Sequence, residues 1–175
     1  MQNGVVGLLA RQWDASGERL ARRCEGLTDE ELLWEPAPDC WNLLADPGHP
    51  GGWSYMYDFS PPRPHPVTSI GWRLVHITAS NWIYMEHAFG PGDRNFPDLE
   101  VHGTAAEVLA DWHASTQPVS GWLRSATGEA LGQLRPSHLG ETLAAGEVMP
   151  ILIDEQTHHG AEIALLRDLY LRRQS

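Results

Sequence analysis

Apolar residues recur at helical spacing in four stretches of this chain, and the intervals between them are rich in proline, glycine and acidic side chains. In the first stretch, from about Gly4 to Cys24, Val5, Leu8, Leu9, Trp13 and Leu20 fall at turn spacing and predict an amphipathic helix. The second, from about Ser69 to Phe89 (SIGWRLVHITASNWIYMEHAF), is apolar nearly all round, so it is expected to be the most buried helix. The third begins at Thr104, where TAAE forms a capping box with Glu107. It turns Val108, Leu109, Trp112, Val119, Trp122 and Leu123 inward, and Pro118 is expected to kink or split it. The fourth runs from about Met149 to Arg173, with Pro150 in a first-turn position. Short helical turns are expected after Thr28, which can cap TDEELL, and after Thr127 in TGEALGQL. Strand signals are weak, and YMYDF is the one candidate. The pattern predicts an all-α four-helix bundle in a single domain over residues 1–175.

The interval between the first two long helices, Glu35 to Val67, is of another kind. It holds eight of the thirteen prolines, a density that forbids regular helix. It also holds Trp41, Trp53, Tyr55, Tyr57 and Phe59, and a disordered linker would be poor in aromatics. A long ordered loop packed over one end of the bundle satisfies both facts. Such a loop either plugs the bundle end or serves as a substrate lid.

Composition narrows the function classes. The net charge is −11, from 23 acidic and 12 basic residues, so the clustered cations that phosphate binding needs are not provided, and nucleic acid is not an expected partner. Every basic residue is Arg, which rules out a lysine Schiff base and a P-loop lysine. Cys24 and Cys40 make no CxxC or zinc-ribbon spacing. The start lacks the basic and apolar regions of a signal peptide, and no stretch approaches the roughly 20 apolar residues of a membrane span. No membrane association is expected, and the cytoplasm is the expected location.

The chemistry concentrates in ILIDEQTHHGAEIALLRDLYLRR. Glu155 and His159 are one helical turn apart and point the same way. On a helical wheel they sit at the middle of an apolar arc with Ile151, Leu152, Ile163, Leu166 and Tyr170, and Glu162 lies beside them. Asp154 and His158 have the same spacing but turn toward Asp168 and Arg172, at the edge. Burying a carboxylate and an imidazole costs several kcal/mol unless something compensates, on the order of what a divalent cation or a hydrogen-bonded partner supplies. Taken alone, such a pair is more often structural than metal-binding. A metal needs a third ligand, and His76 and His87 in the second helix offer one; they share a stripe with Trp72 and Ile83. His49, His65 and His138 are expected in solvated loops, and His102 and His113 find no partner by pattern. There is no G-x-S-x-G elbow and no phosphate-cradling glycine loop.

The pairing of SIGWRLVHITASNWIYMEHAF with DEQTHHGAEIALLRDLYLRR resembles the DinB-like family of metal-binding four-helix bundles. It is similar in particular to an actinobacterial branch related to mycothiol-dependent maleylpyruvate isomerase. The matching residues are His76 after WRLV, the aromatic Trp82, and Glu155 and His159 ahead of the LeuLeuArg at 165–167. The resemblance implies His76, Glu155 and His159 as ligands of a divalent metal, zinc first and nickel second. His87, His158 and Glu162 would be outer-sphere or proton-transfer groups, while Trp41, Trp53, Tyr55, Tyr57 and Trp72 would shape a substrate pocket. It further implies a thiol S-transferase using mycothiol or another low-molecular-weight thiol, acting on a small-molecule electrophile, and a homodimer. Since that isomerase carries a further C-terminal domain, maleylpyruvate isomerisation itself is not expected. A hydrolase using the same metal to activate water, and a non-catalytic metal- or ligand-binding stress protein, stay open as alternatives.

Overall fold

The computed structural model describes residues 4–58 and 60–173; Phe59 of the expected aromatic set lies outside them. In chain order the elements are α1 (Val5–Cys24), α2 (Asp29–Leu32), β1 (Leu43–Ala45), β2 (Trp53–Tyr55), α3 (Ile70–Phe89), α4 (Ala105–Ser125), β3 (Leu134–Pro136), β4 (Thr142–Ala144) and α5 (Ala145–Arg172). The four long helices close into a ring in which α1 packs on α5, α5 on α3, α3 on α4 and α4 on α1. This is an all-α bundle. None of the described helices is long and apolar enough to cross a membrane.

The order around the ring explains the connections. Helices α1 and α3 face each other across a diagonal, and so do α4 and α5, so the links joining them must cross an end of the bundle. Both crossing links are long, and each contains an antiparallel hairpin: Leu43 opposite Tyr55 in the first, Leu134 opposite Ala144 in the second. The expected strand YMYDF is therefore displaced, since the strand is Trp53–Tyr55 and shares with it just Tyr55. The second hairpin has no counterpart among the sequence expectations.

The helix starts follow their local chemistry. Thr28 accepts from the Glu31 N–H at 3.2 Å, and Thr104 accepts from the Glu107 N–H at 3.3 Å, each at the expected cap. Ser69 caps α3 by accepting from the Trp72 N–H at 3.1 Å, and its hydroxyl donates to Asn42 Oδ1 at 2.6 Å. Trp41 adds two main-chain bonds, donating to the Val67 carbonyl and accepting from the Ser69 N–H, each at 2.9 Å. The proline-rich segment is thus fastened to the first turn of α3.

Three expectations are corrected. Val5 and Leu8 face solvent rather than the core, which takes Val6, Trp13 and Leu20 from α1. Helix α4 is continuous through Pro118, so of the two expected effects the proline does not split it. Helix α5 begins at Ala145, where Glu147 reaches back to the Ala144 N–H at 2.8 Å, so Pro150 lies inside the helix and not in its first turn. The expectation for α3 holds, since thirteen of its residues are buried, more than in any other described helix. The two cysteines are buried and free, and burial pushes both thiols up to about 11.

Candidate metal centre

The buried stripe of α5 is Ala145, Val148, Met149, Leu152, Gln156, Ile163, Leu166, Arg167 and Tyr170. Its middle is Gln156, which is 1% exposed, and not the Glu155–His159 pair. Glu155 and His159 stand one step round the helix, with side chains 29% and 14% exposed. They meet the face of α3 that carries Trp72, Arg73 and His76. The pair is therefore at the edge of the core, where a side chain reaches both the bundle interior and the outside.

Here the structure brings His76, Glu155 and His159 together, with one donor atom of each within 4.8 Å of the others. Glu155 Oε2 lies 3.1 Å from His76 Nε2 and 3.4 Å from His159 Nε2. Nitrogen and oxygen ligands about 2.0–2.1 Å from a tetrahedral cation are about 3.3–3.4 Å from one another, so the spacing suits one ion placed between them. The donor set of two imidazoles and a carboxylate suits a borderline cation such as zinc or nickel better than magnesium.

The proton positions point the same way. His159 Nδ1 lies 2.7 Å from Glu162 Oε2. A neutral ring has one N–H, and the shorter contact claims it, so Nδ1–H donates to Glu162 and Nε2 keeps its lone pair toward Glu155. Burial lowers the pKa of His159, which favours that neutral form. A lone pair thus faces a carboxylate oxygen across 3.4 Å, a repulsive arrangement that a cation relieves. His76 is held differently. Its ring stacks on Trp72 with centroids 4.9 Å apart and on Tyr57 at 6.3 Å, while its Nδ1 is buried without a hydrogen-bond partner.

The remaining expected residues divide. Trp72, Tyr57 and Tyr55 gather at the site: Tyr55 lies 6.2 Å from both of the others, and the indole Nε1–H of Trp72 donates to the Met56 carbonyl. Trp41 backs Trp72 at 6.3 Å. Trp53 packs instead on Gly103, where any Cβ would strike its indole. His158 is exposed, with Nε2 3.4 Å from Glu162 Oε1. His87 does not reach the site. Eleven residues beyond His76 it is about 16 Å along the helix axis, bonded through Nε2 to the Arg94 carbonyl at 2.9 Å.

Three groups come as additions to the expected set. Arg73 lies against Glu162 as an ion pair and 3.4 Å from His159 Nδ1. Phe96 stacks on Tyr57 at 6.4 Å, and His138 meets Phe96 at 5.6 Å and Tyr84 at 4.6 Å. His138 is thus no solvated loop histidine. It lies against aromatic rings, and burial lowers its pKa. His102, left without a partner by pattern, pairs with Asp111 at 2.6 Å. A cavity of about 390 Å³ opens on a different face of α3, lined by Val75, Ala79, Trp82, Arg94 and Asp111 among others, and none of the three ligand candidates lines it. Trp82, the aromatic of the helix-two motif, belongs to that cavity, under the guanidinium of Arg94.

Comparison with known proteins agrees with the fold. Residues 12–163 match the family model of the DinB superfamily. No curated protein matches the chain. A solved structure, the crystal structure of the conserved protein of locus from Enterococcus faecalis, superposes with a TM-score of 0.60 at 14% identity, covering 97% of this chain and 99% of that one. At that identity the likeness is one of fold.

Proposed function

The chain belongs to the DinB superfamily, and on that premise we propose that it holds a divalent cation, zinc first and nickel second, on His76, Glu155 and His159. We propose further that it uses this centre as a thiol S-transferase, joining a low-molecular-weight thiol of the mycothiol type to a small electrophile. The observation that carries the reading is the position of Glu155 Oε2, within 3.1 Å and 3.4 Å of two imidazole Nε2 atoms.

The roles of the chain's own residues follow from their surroundings. Three protein donors leave a tetrahedral centre one position short, which is the arrangement of catalytic rather than structural sites. A bound cation would act as a Lewis acid and draw the pKa of a thiol at that position toward neutrality. Tyr57 and Trp72 both stack on His76, and their apolar rings would exclude water and suit a soft sulfur nucleophile. The reaction forms a bond from the thiol sulfur to the electrophilic carbon, breaks the S–H bond and the bond from that carbon to a leaving group, and releases the thiol proton and the leaving group with its electron pair. Glu162 and the exposed His158, 3.4 Å apart, offer that proton a way to solvent. The mycothiol branch is the part of this reading that rests on the helix-two and helix-four motifs alone.

Elemental analysis of protein purified without an affinity tag tests the metal. About one equivalent of zinc or nickel is expected in the wild type and none in Glu155→Ala or His159→Ala with helicity retained. Turnover of a generic electrophile with and without mycothiol tests the chemistry. Thiol-independent turnover would replace the transferase with a hydrolase, and metal without any turnover would leave a binding protein.

A further inference from the structure

A lone arginine in the most buried helix has to be explained. Arg73 sits in α3 between Trp72 and Leu74, with its side chain 12% exposed and its Nε buried without a partner. Burial lowers its pKa to about 10, which still leaves it charged at neutral pH. Among the described residues, Glu162 of α5 is the carboxylate within ion-pair reach of it. The same carboxylate oxygen, Oε2, accepts the Nδ1–H of His159 at 2.7 Å. One oxygen therefore lies between a guanidinium from one helix and an imidazole from the other.

The geometry points to Arg73 and Glu162 as a positioning pair that fixes His159 as the Nδ1–H tautomer and aims its Nε2 lone pair at Glu155 and His76. This inference rests on the metal reading for its purpose, but the tautomer it assigns belongs to the metal-free protein as well.

Three observations support the assignment. With Nδ1 unprotonated, the 2.7 Å contact to Glu162 would set two acceptors against each other. Arg73 Nη1 is 3.4 Å from the same Nδ1, too far to compete with that shorter contact, so the guanidinium acts on the carboxylate and not on the ring. Arg73 also holds the Glu162 carboxylate in place beside a half-buried site. The other imidazole has no such support, because His76 Nδ1 is orphaned. Of the two nitrogen donors, His159 is the one organised in advance. Hydrogen-bonded partners behind a ligating histidine typically contribute about 10–100-fold in metal affinity.

The test has two readouts. The first is the tautomer of His159 in metal-free protein, read from the nitrogen chemical shifts of the ring. Nδ1–H is expected in the wild type, and loss of that single tautomer in Glu162→Ala. The second is zinc affinity by competition with a chromogenic chelator. Glu162→Ala and Arg73→Met are expected to bind about 10–100-fold more weakly. Arg73→Lys and Glu162→Gln, which keep the charge and the acceptor respectively, are expected to recover most of the loss. An Nε2–H tautomer in the wild type overturns the assignment, and so does unchanged tautomer and affinity in both Glu162→Ala and Arg73→Met. If the wild type binds no zinc, the metal reading falls, while the ring shifts still decide what Arg73 and Glu162 do. If Arg73→Met does not fold, Glu162→Ala and Arg73→Lys carry the comparison.

Discussion

Two neighbouring residues of α5 head two polar clusters of opposite character. Gln156 faces the core: its Nε2 donates to Ser16 Oγ at 2.7 Å, and its Oε1 accepts from Trp112 Nε1 at 3.3 Å. The cluster is neutral and closed. Arg167, three turns on, behaves in kind, with Nε on Glu31 Oε1 at 2.9 Å and Nη1 on the Arg23 and Glu25 carbonyls. The cluster headed by Glu155 is not closed. It carries two carboxylates against one guanidinium, sets a lone pair against a carboxylate oxygen, and leaves His76 Nδ1 without a partner. Satisfied buried polar groups hold a bundle together, whereas a deficit of positive charge in a half-buried cluster is what the proposed cation site calls for.

The contrast can be broken at either end. Arg167→Met leaves Glu31 as an unpaired buried carboxylate and should cost about 3–5 kcal/mol in urea unfolding, the largest effect expected here. Zinc at a hundred times its dissociation constant should stabilise the wild type by about 2.7 kcal/mol through linkage and leave His159→Ala where it was, which thermal melts with and without zinc would show. Gln156→Leu orphans the Trp112 N–H and should cost about 1–3 kcal/mol while leaving the zinc increment intact. A lost increment would mean the two clusters are one.

The smallest effect concerns the link between α3 and α4. The hydrogen bond to Asp111 raises the pKa of His102 above its ordinary 6.5. A raised histidine stabilises the fold below its unfolded pKa, and the contribution is lost as pH climbs through the folded value. His102→Gln should therefore lower the melting temperature at pH 5.5 and match the wild type at pH 9.

Much of this was legible from side-chain pattern. The caps at Thr28 and Thr104 are local hydrogen bonds and need no tertiary context. His76, Glu155 and His159 converge because the spacing on each helix puts them on facing sides. What escaped was polar or short. Gln156 and Arg167 occupy the buried stripe of α5, and a wheel drawn on apolar residues passes over both, so it placed Glu155 too deep. Arg73 carries no signal in the pattern of its own helix, and its role shows only where the structure puts Glu162 opposite it. The strands are three residues each with no buried-exposed alternation in β2, so periodicity had nothing to detect. His138 owes its surroundings to that second hairpin.

The aromatic wall beside Glu155 takes Tyr57 from one connector, Phe96 from a second and His138 from a third, while the donors themselves ride on α3 and α5. On the proposed function, reactivity and choice of guest would be written into separate stretches of chain. Drift in the connectors would then redraw what is admitted without disturbing the two helices that carry the donors, making the bundle a chassis whose connecting parts are free to diversify.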